Sequence, residues 1–316
     1  MASVTLNHIS KTYDEGKVLA VDDISFDVQE GELFGLIGPD GTGKTSIFRI
    51  LTTLLLADKG SATVAGFDVV KNYREIRNRV GYMPGRFSLY QDLTVKENLS
   101  FFATVFGTTI EKNYELIKDI YDQIKPFNDR RAGKLSGGMK QKLALCCALI
   151  HKPEVLLLDE PTTGVDAVSR KEFWDMLKKL KMQGITILVS TPYMDEANLC
   201  ERIALIQKGK IMSVDIPENI IKSFPTKLLA AKADNIYKLL NDFRNSNEVD
   251  SCYAFGEFLH ITVKQYTEKS VQELELYAQQ KGHQHIIIKE IMPGIEDSFI
   301  RLMTNDKDAF MDKQPS

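Results

Sequence analysis

Residues 38–45 of the chain are Gly38-Pro39-Asp40-Gly41-Thr42-Gly43-Lys44-Thr45. An apolar run at residues 33–37 precedes this loop, and apolar residues at helical spacing follow it from residue 47 to residue 54. The order of strand, glycine-rich loop and helix is the setting that a phosphate-binding loop requires. Backbone N–H groups of the curled loop, together with the N-terminus of the helix, would bind an anion. A glycine turn that opens an ordinary helix is the alternative, but all eight positions match the loop pattern.

Side chains in and near this loop have separate predicted roles in binding a nucleotide. Lys44 would place a positive charge at the terminal phosphates, and the hydroxyl of Thr45, in preference to that of Ser46, would ligate Mg²⁺. Tyr13 lies ahead of the loop, where an aromatic ring could stack on a nucleotide base. Taken alone, such a tyrosine is more often a packing or surface residue. The other predicted contacts to the nucleotide come from the loop itself: Gly38, Pro39, Asp40, Gly41, Thr42 and Gly43.

The composition limits the classes of protein to which the chain can belong. Its 316 residues suffice for two domains, and 43% hydrophobic and 26% charged residues are typical of ordinary soluble proteins. A net charge of −3 and a pI near 6.0 argue against a general nucleic-acid binder. The sequence shows neither a secretory signal nor an apolar run of about 20 residues that could span a bilayer. The four cysteines show no CxxC spacing, which predicts reduced thiols in a cytosolic chain.

A helical region follows the glycine loop and leads to a second candidate anion site. Helical periodicity at residues 93–106 and 111–124, with Thr94 as an N-cap, predicts a helical insert between sheet elements. The next motif opens a helix predicted over residues 139–150 and reads Leu135-Ser136-Gly137-Gly138-Met139-Lys140-Gln141. A serine N-cap, two glycines and a helix dipole would bind an anion. Taken alone, the motif is better explained as a capped helix with a flexible start.

Two acidic residues follow an apolar strand further along the chain. Residues 155–158 are apolar, and Asp159 and Glu160 come directly after them. Ligands of open α/β sheets bind at the carboxyl ends of the strands, which is where these acids would lie. Asp159 would hold Mg²⁺ directly or through water, and Glu160 would act on the attacking water as a general base or by positioning it. The alternative is a strand that ends in a solvated acidic turn.

In this order and spacing, the glycine loop, residues 135–141 and residues 156–161 resemble the ATPase subunits of ATP-binding cassette (ABC) transporters. The resemblance covers about residues 3–215 and implies an α/β fold, the P-loop NTPase cassette with a RecA-like core, an antiparallel β subdomain and a helical subdomain. It also implies that two cassettes dimerise head to tail, with each ATP between the glycine loop of one and the signature motif of the other. Ser136, Gly137 and Gly138 would then contact the partner's nucleotide.

Two further positions match the family. Gly164-Val165-Asp166 is similar to the loop that crosses the dimer interface, so Asp166 is expected near nucleotide. Tyr13 lies at the position of the aromatic residue that stacks on the base.

Two other positions depart from the family pattern. A glutamine usually follows the strand that ends here at Pro84, but this chain has Gly85, and Gln91 comes too late to replace it. The switch histidine that would follow Thr191 is replaced by Pro192, which offers neither a ring nitrogen nor an N–H. The five histidines include none near this point, and His151 is interpreted as a helix-end residue.

These departures predict a site that binds ATP but hydrolyses it slowly or not at all. A lost acid–base or transition-state contact typically lowers a rate by about 10²–10⁴. The intact signature motif would serve a competent partner, in a heterodimer similar to two-cassette multidrug exporters. A homodimer with slow turnover is the alternative.

The last quarter of the chain predicts a separate small domain. After a linker at residues 215–218, strands at 227–231, 249–255, 258–263 and 285–291 alternate with helices at 235–243 and 271–279. This βαββαβ order predicts a ferredoxin-like α+β domain. The predicted boundaries are 1–216 for the cassette, with its helical subdomain at about 86–150, 217–304 for the accessory domain, and 305–316 for a disordered tail. Residues 295–302 resemble a C-terminal helix of ABC exporter ATPases.

The sequence therefore predicts the ATPase subunit of an ABC exporter, with ATP and Mg²⁺ as cofactors. Its expected partners are membrane-spanning permease subunits and a second cassette, without nucleic acid. Its expected location is the cytoplasmic face of the cell membrane. Two alternatives remain: a nucleotide-dependent regulatory module that does not hydrolyse ATP, and a soluble ABC protein of DNA repair or translation. The single cassette, the acidic pI and the exporter-like helix argue against the second.

Overall fold

The computed structural model describes the backbone of residues 1–311 and the side chains of residues 1–304. The chain divides into two compact units. Met1–Asn219 and the segment from Asn305 belong to the first unit, and Ile220–Thr304 forms the second. Each unit has its own buried apolar core.

The first unit contains ten strands among its described residues. They are β1 (Ala2–Tyr13), β2 (Val18–Gln29), β3 (Leu33–Ile37), β4 (Lys59–Val64), β5 (Phe67–Asp68), β6 (Val80–Met83), β7 (Val155–Asp159), β8 (Thr186–Thr191), β9 (Arg202–Gln207) and β10 (Lys210–Asp215). Six of them form one sheet in the order β10-β9-β3-β8-β7-β6, and the other four form an antiparallel sheet in the order β2-β1-β4-β5. The first unit is therefore an α/β structure with a second, smaller β layer.

The helices of the first unit alternate with the strands of the large sheet. They are α1 (Lys44–Leu51), α2 (Tyr73–Arg79), α3 (Val95–Val105), α4 (Tyr114–Ile124), α5 (Gly137–Leu149) and α6 (Ala167–Met182). The helical insert is present, and its first helix has the predicted cap. The Thr94 hydroxyl accepts from the Glu97 N–H at 3.2 Å, and the Glu97 carboxylate accepts from the Thr94 N–H at 2.8 Å. The signature helix begins at Gly137, two positions before the predicted start.

Strands β3, β7 and β8 are buried along their whole length. They run parallel to one another, and continuous apolar sequence is typical of parallel strands that are covered on both faces. Because all three end at the same edge of the sheet, the segments after Ile37, Asp159 and Thr191 are brought together there. This edge carries the candidate site.

The second unit has the element order that its sequence predicts. The elements are β11 (Leu228–Lys232), α8 (Ile236–Arg244), β12 (Val249–Phe255), β13 (Phe258–Val263), α9 (Ser270–Gln280) and β14 (Ile287–Ile291). The four strands pair antiparallel in the order β12-β13-β11-β14. Leu229 and Ile261 pack with Phe243 and Leu274 in the apolar core of this unit.

Two boundaries differ from those predicted. The segment interpreted as a linker contains a short helix, α7 (Pro217–Lys222), because Pro217 fits the first turn, where its missing N–H leaves no bond unmade. Helix α10 (Ile295–Met311) continues past Asn305 into the segment where a disordered tail was predicted. Residues 312–316 of that predicted tail lie outside the described residues.

Candidate functional site

The glycine loop follows β3, and two of its glycines allow backbone contacts that no other residue could make. A Cβ added at Gly38 would lie 2.2 Å from the carbonyl oxygen of Ile206 in β9. Gly43, the N-cap of α1, has a φ of 99°, and a Cβ there would lie 2.2 Å from the carbonyl oxygen of Ala20. The loop therefore curls against both sheets, and its N–H groups lie at the start of α1.

Lys44 lies inside this curl and connects the loop to the acid after β7. Its Nζ donates to the carbonyl oxygens of Gly38 at 2.7 Å and Pro39 at 2.8 Å. The same Nζ lies 3.0 Å from Oε1 of Glu160, and the Lys44 side chain is 2% exposed against 20% for Glu160. The Thr42 hydroxyl also donates to Pro39, at 2.9 Å, and tightens the loop. The structure therefore brings the predicted phosphate-binding lysine and the predicted catalytic glutamate into direct contact.

The first turn of α1 carries the hydroxyl groups considered for the metal. The Ser46 hydroxyl lies 3.0 Å from the Tyr13 hydroxyl and is engaged in a hydrogen bond with it. Thr45 is exposed at the loop. This arrangement favours Thr45 over Ser46 as the predicted Mg²⁺ ligand. Tyr13, at the end of β1, is held beside the start of α1, with Lys11 Nζ 5.9 Å from its ring centroid.

Ser190 bonds both Asp159, the last residue of β7, and the backbone of Glu160, which follows it. Ser190 Oγ, at the end of β8, donates to Asp159 Oδ1 at 2.7 Å. The Glu160 N–H lies 3.0 Å from the same Oγ and 3.1 Å from the carbonyl oxygen of Ser190. Glu160 has a φ of 50°, which is uncommon outside glycine. The backbone thus turns sharply after Asp159 and directs the Glu160 side chain to Lys44.

The donor set at this edge fits Mg²⁺. The Thr45 hydroxyl and the Asp159 carboxylate offer the hard oxygen ligands that this ion prefers, and the ion usually takes its remaining ligands from water and substrate phosphates. Within residues 1–304, no group of three or more His, Cys, Asp or Glu side chains forms a cage for a metal. A protein cage is not needed when phosphates complete the coordination.

The signature motif packs on the loop that leads into α6. Ser136 is the N-cap of α5, and its hydroxyl accepts from the Met139 N–H at 3.4 Å. A Cβ at Gly138 would lie 2.5 Å from Ser169 Oγ, whereas one at Gly137 would lie 3.7 Å from the carbonyl oxygen of Gly164. Gly138 is therefore required for the close approach of α5 to the first turn of α6.

Asp166 is the N-cap of α6. Its Oδ1 accepts from the Ser169 N–H at 3.0 Å, and this hydrogen bond holds the pKa of the Asp166 carboxyl below its usual value. The side chain thus serves its own helix, and its predicted place at a nucleotide stays a prediction.

The two departures from the expected pattern lie at the same edge of the sheet. A Cβ at Gly85 would lie 3.0 Å from the carbonyl oxygen of Asp159, so the backbone after β6 runs close against the end of β7. Pro192 follows β8, and the preceding Thr191 accepts from the Tyr193 N–H at 3.1 Å. Neither Gly85 nor Pro192 has a side-chain donor or acceptor.

A buried carboxylate behind Pro192 escaped the sequence analysis. Glu196 is buried and accepts from the hydroxyls of Thr191 at 2.5 Å and Thr162 at 3.1 Å. Arg170 Nε donates to it at 3.2 Å, and the Arg170 guanidinium lies 4.2 Å from the Tyr193 ring centroid. The pattern Asp195-Glu196 suggests a solvated turn, and no local signal shows that partners from three other segments enclose Glu196.

A groove of about 480 Å³ lies beside Gly85. Apolar and aromatic side chains dominate its lining, and its charged residues are arginines. Its lining includes Leu54, Met83, Phe87, Phe102, Val105, Phe106, Arg77 and Arg86.

His151 forms part of the wall of this groove. Its ring stacks on Phe106 with centroids 3.8 Å apart. Its Nε2 lies 3.2 Å from the carbonyl oxygen of Val80 and must carry the proton of that hydrogen bond. Burial lowers the pKa of His151 to about 4. It follows α5, as the sequence predicts for a helix-end residue.

Comparisons with known proteins show which family the chain resembles. The family model described as ABC transporter matches residues 21–163. The probable multidrug ABC transporter ATP-binding protein YbhF of Escherichia coli (strain K12) is 38% identical over 307 residues, which cover 96% of this chain and 52% of that protein. The Nod factor export ATP-binding protein I of Burkholderia thailandensis is 40% identical over 226 residues, covering 71% of this chain and 74% of that protein. The chain thus spans about half the length of the first of these relatives.

The fold has counterparts among solved structures. The ATP-binding cassette MJ0796, solved as a dimer in a post-hydrolysis state bound to ADP and Pi, has a TM-score of 0.61 and 25% identity. The match covers 67% of this chain and 98% of that one. The predicted cassette fold is therefore confirmed. Within the described residues, no helix combines the length and apolar character that crossing a membrane requires.

Proposed function

The chain belongs to the ABC transporter family of ATP-binding proteins, and on that basis we propose that it is the ATP-binding and ATP-hydrolysing subunit of an exporter. One observation carries the proposal: Lys44, at the glycine loop, meets Glu160, which follows Asp159 at the end of β7, with 3.0 Å between Lys44 Nζ and Glu160 Oε1. Phosphate-binding lysine, metal-binding aspartate and water-activating glutamate converge at one edge of the sheet, as ATP hydrolysis needs.

Each residue has a role that its place in the fold supports. The loop N–H groups and Lys44 bind the β- and γ-phosphates. Thr45 and Asp159 hold Mg²⁺, which supplies positive charge against the phosphate oxygens when it is bound. Glu160 accepts a hydrogen bond from the attacking water and takes its proton or directs it in line with the γ-phosphate. Tyr13 stacks on the base.

The chain's own site is proposed to turn over slowly. Gly85 and Pro192 replace two side chains that would touch the metal, the water or the γ-phosphate, and neither offers a polar group. Binding depends mainly on the loop and Lys44, so affinity for ATP persists. The signature residues Ser136, Gly137 and Gly138, together with Asp166, face the nucleotide of a second cassette. That cassette supplies the competent site.

The proposed membrane partner is a permease subunit whose segments span the bilayer. The groove lined by Phe87, Phe102 and Phe106 lies beside Gly85, on the loop that faces the membrane subunit in this family. Its apolar lining suits a helical segment of such a partner. The E. coli and B. thailandensis relatives are named for multidrug transport and Nod factor export, which supports export as the direction. The cassette works on the cytoplasmic face of the membrane, held there by its partners.

The test is steady-state ATP hydrolysis by the purified chain, with ATP binding measured in parallel. Wild type should bind ATP with Mg²⁺ and hydrolyse it slowly, and Glu160→Gln should lower the rate further while binding persists. Glu154→Gln is the matched control, because Glu154 precedes the same strand and pairs with Arg79 outside the site. It should leave both measurements unchanged. Failure to bind ATP would overturn the proposal.

A second candidate function is favoured by the same two replacements at Gly85 and Pro192. A chain that binds ATP, closes on a partner cassette and does not hydrolyse would act as a regulatory clamp. If the wild-type chain binds ATP but hydrolyses it no faster than Glu160→Gln does, the result would favour the clamp. Brisk hydrolysis that Glu160→Gln abolishes would instead show a self-sufficient motor and contradict the slow site.

A further inference from the structure

Two neighbouring hydroxyl residues end β8, and each holds a different carboxylate. Ser190 and Thr191 are both fully buried. Successive side chains of a strand point to opposite faces of the sheet. Ser190 Oγ donates to Asp159 at 2.7 Å, whereas Thr191 Oγ1 donates to Glu196 at 2.5 Å. The first carboxylate belongs to the candidate site, and the second belongs to the buried cluster behind Pro192.

The Ser190 hydroxyl both donates and accepts a hydrogen bond. It donates to Asp159 Oδ1 and accepts from the Glu160 N–H at 3.0 Å. The donated bond fixes the rotation of the Asp159 carboxylate, and the accepted bond supports the left-handed backbone at Glu160. Such a φ is strained for a residue other than glycine, and it persists only where neighbours hold it. One hydroxyl thus orients the Asp159 carboxylate and, together with the Ser190 carbonyl oxygen, supports the backbone of Glu160.

Orientation of Asp159 matters more here than in a cassette that has a glutamine at the position of Gly85. Gly85 contributes no side chain to the metal or the water, so the protein's ligands to Mg²⁺ are reduced to Thr45 and Asp159. A carboxylate that is free to rotate would lose affinity for the ion, because partners that orient a metal ligand typically contribute about 10–100-fold in metal affinity.

We propose that Ser190 is a positioning residue that holds Asp159 and the Glu160 backbone in the orientation required for Mg²⁺-dependent ATP binding. The proposal rests on the proposed function, since it assumes that Asp159 binds Mg²⁺ with ATP. Ser190 itself touches neither the ion nor the nucleotide.

The experiment measures the affinity of the full chain for a fluorescent ATP analogue in Mg²⁺ and in EDTA. The ratio is the dissociation constant in EDTA divided by the dissociation constant in Mg²⁺. It reports how much Mg²⁺ strengthens nucleotide binding, and it needs no hydrolysis. Ser190→Ala should lower this ratio about 10-fold or more, while affinity in EDTA stays near that of wild type. Ser190→Cys keeps a similar size with a weaker donor and should also lower the ratio. It decides the question if Ser190→Ala does not fold.

Thr191→Val is the matched control. It removes a buried hydroxyl bonded to a carboxylate at the adjacent position, so it should lower the melting temperature and leave the ratio unchanged. The positioning role is wrong, and the proposed function stands, if Mg²⁺ strengthens nucleotide binding equally in wild type and in Ser190→Ala. The same holds if Ser190→Ala and Thr191→Val lower the ratio equally. If wild type itself gains no affinity from Mg²⁺, the proposed metal site fails together with this inference.

Discussion

His151 combines burial with a titratable ring at the wall of the groove. Burial lowers its pKa from 6.5 to about 4, so the folded chain holds the neutral imidazole and the unfolded chain binds a proton first as the pH falls. The contribution of the neutral His151 to the free energy of unfolding is therefore fully present above about pH 6.5. It is lost as the pH drops towards 4, by up to about 3 kcal/mol. Urea denaturation of wild type and His151→Leu at pH 7 and pH 5 should show a smaller loss in the variant.

The exposed His8 provides the control for that measurement. Its side chain is 78% exposed and lies outside the groove, so His8→Gln should keep the wild-type loss of stability between pH 7 and pH 5. An equal loss in wild type and His151→Leu would contradict the assignment.

Pro192 and Gly85 differ in how readily they accept a restored side chain. Pro192→His adds an imidazole after β8 and should raise the hydrolysis rate at least about tenfold, because acid–base contacts typically contribute 10²–10⁴. Gly85→Gln places a Cβ 3.0 Å from the carbonyl oxygen of Asp159. It should shift this loop and give no comparable gain alone. Steady-state rates for both variants decide this.

Pro192→Ala separates the imidazole from the loss of the proline ring. It should leave the rate at the wild-type level. A gain in Pro192→Ala equal to that in Pro192→His would show that backbone freedom, and not the side chain, limits turnover.

At the scale of elements, the packing of α5 on α6 depends on one of two adjacent glycines. Gly138→Ala would place a Cβ 2.5 Å from Ser169 Oγ and 2.9 Å from its Cβ, and such overpacking costs about 1–3 kcal/mol. Gly137→Ala would meet only an ordinary contact at 3.7 Å and should be tolerated. Denaturant midpoints of the two variants should differ accordingly.

A compensating change tests the cause. Ser169→Gly removes the side chain that Gly138→Ala meets, so the double variant should recover part of the lost stability. Equal destabilisation by Gly137→Ala and Gly138→Ala would contradict this account of the signature motif.

Elements were predictable where the signal is local. Apolar runs such as residues 155–158 predict the buried strands, and Thr94 with Glu97 predicts a helix start.

The cluster around Glu196 was not predictable, because Thr162, Arg170 and Thr191 reach it from other segments. Helix α7 does not follow from the sequence, because Pro217 is typical both of a linker and of the first turn of a helix. The positions of Lys44 and Glu160 followed from motif order, but their contact required the fold.

At the scale of the whole molecule, the four thiols divide between the two units. Cys146, Cys147 and Cys200 lie in the first unit and Cys252 in the second, and all are free and buried. Burial raises the pKa of each thiol, that of Cys252 to about 12. Only the thiolate reacts readily. A thiol reagent at pH 8 should therefore label none of them in the native protein and all of them in urea.

The order of labelling gives a further measurement. Mass spectrometry of samples labelled briefly at rising urea concentrations would assign the unfolding of the second unit from Cys252 and that of the first from the other three. Rapid native labelling of Cys146 or Cys147 would contradict the burial of α5.

The stacking of His151 on Phe106 has a consequence for how the groove responds to acidity. At neutral pH the imidazole has already lost its charge, so a helix that docks there displaces water without exchanging a proton. The measured heat of that association should then be independent of buffer ionisation enthalpy near pH 7. Below about pH 4, where the ring carries a proton, the same association would expel that proton, and the heat of binding would then vary from one buffer to another.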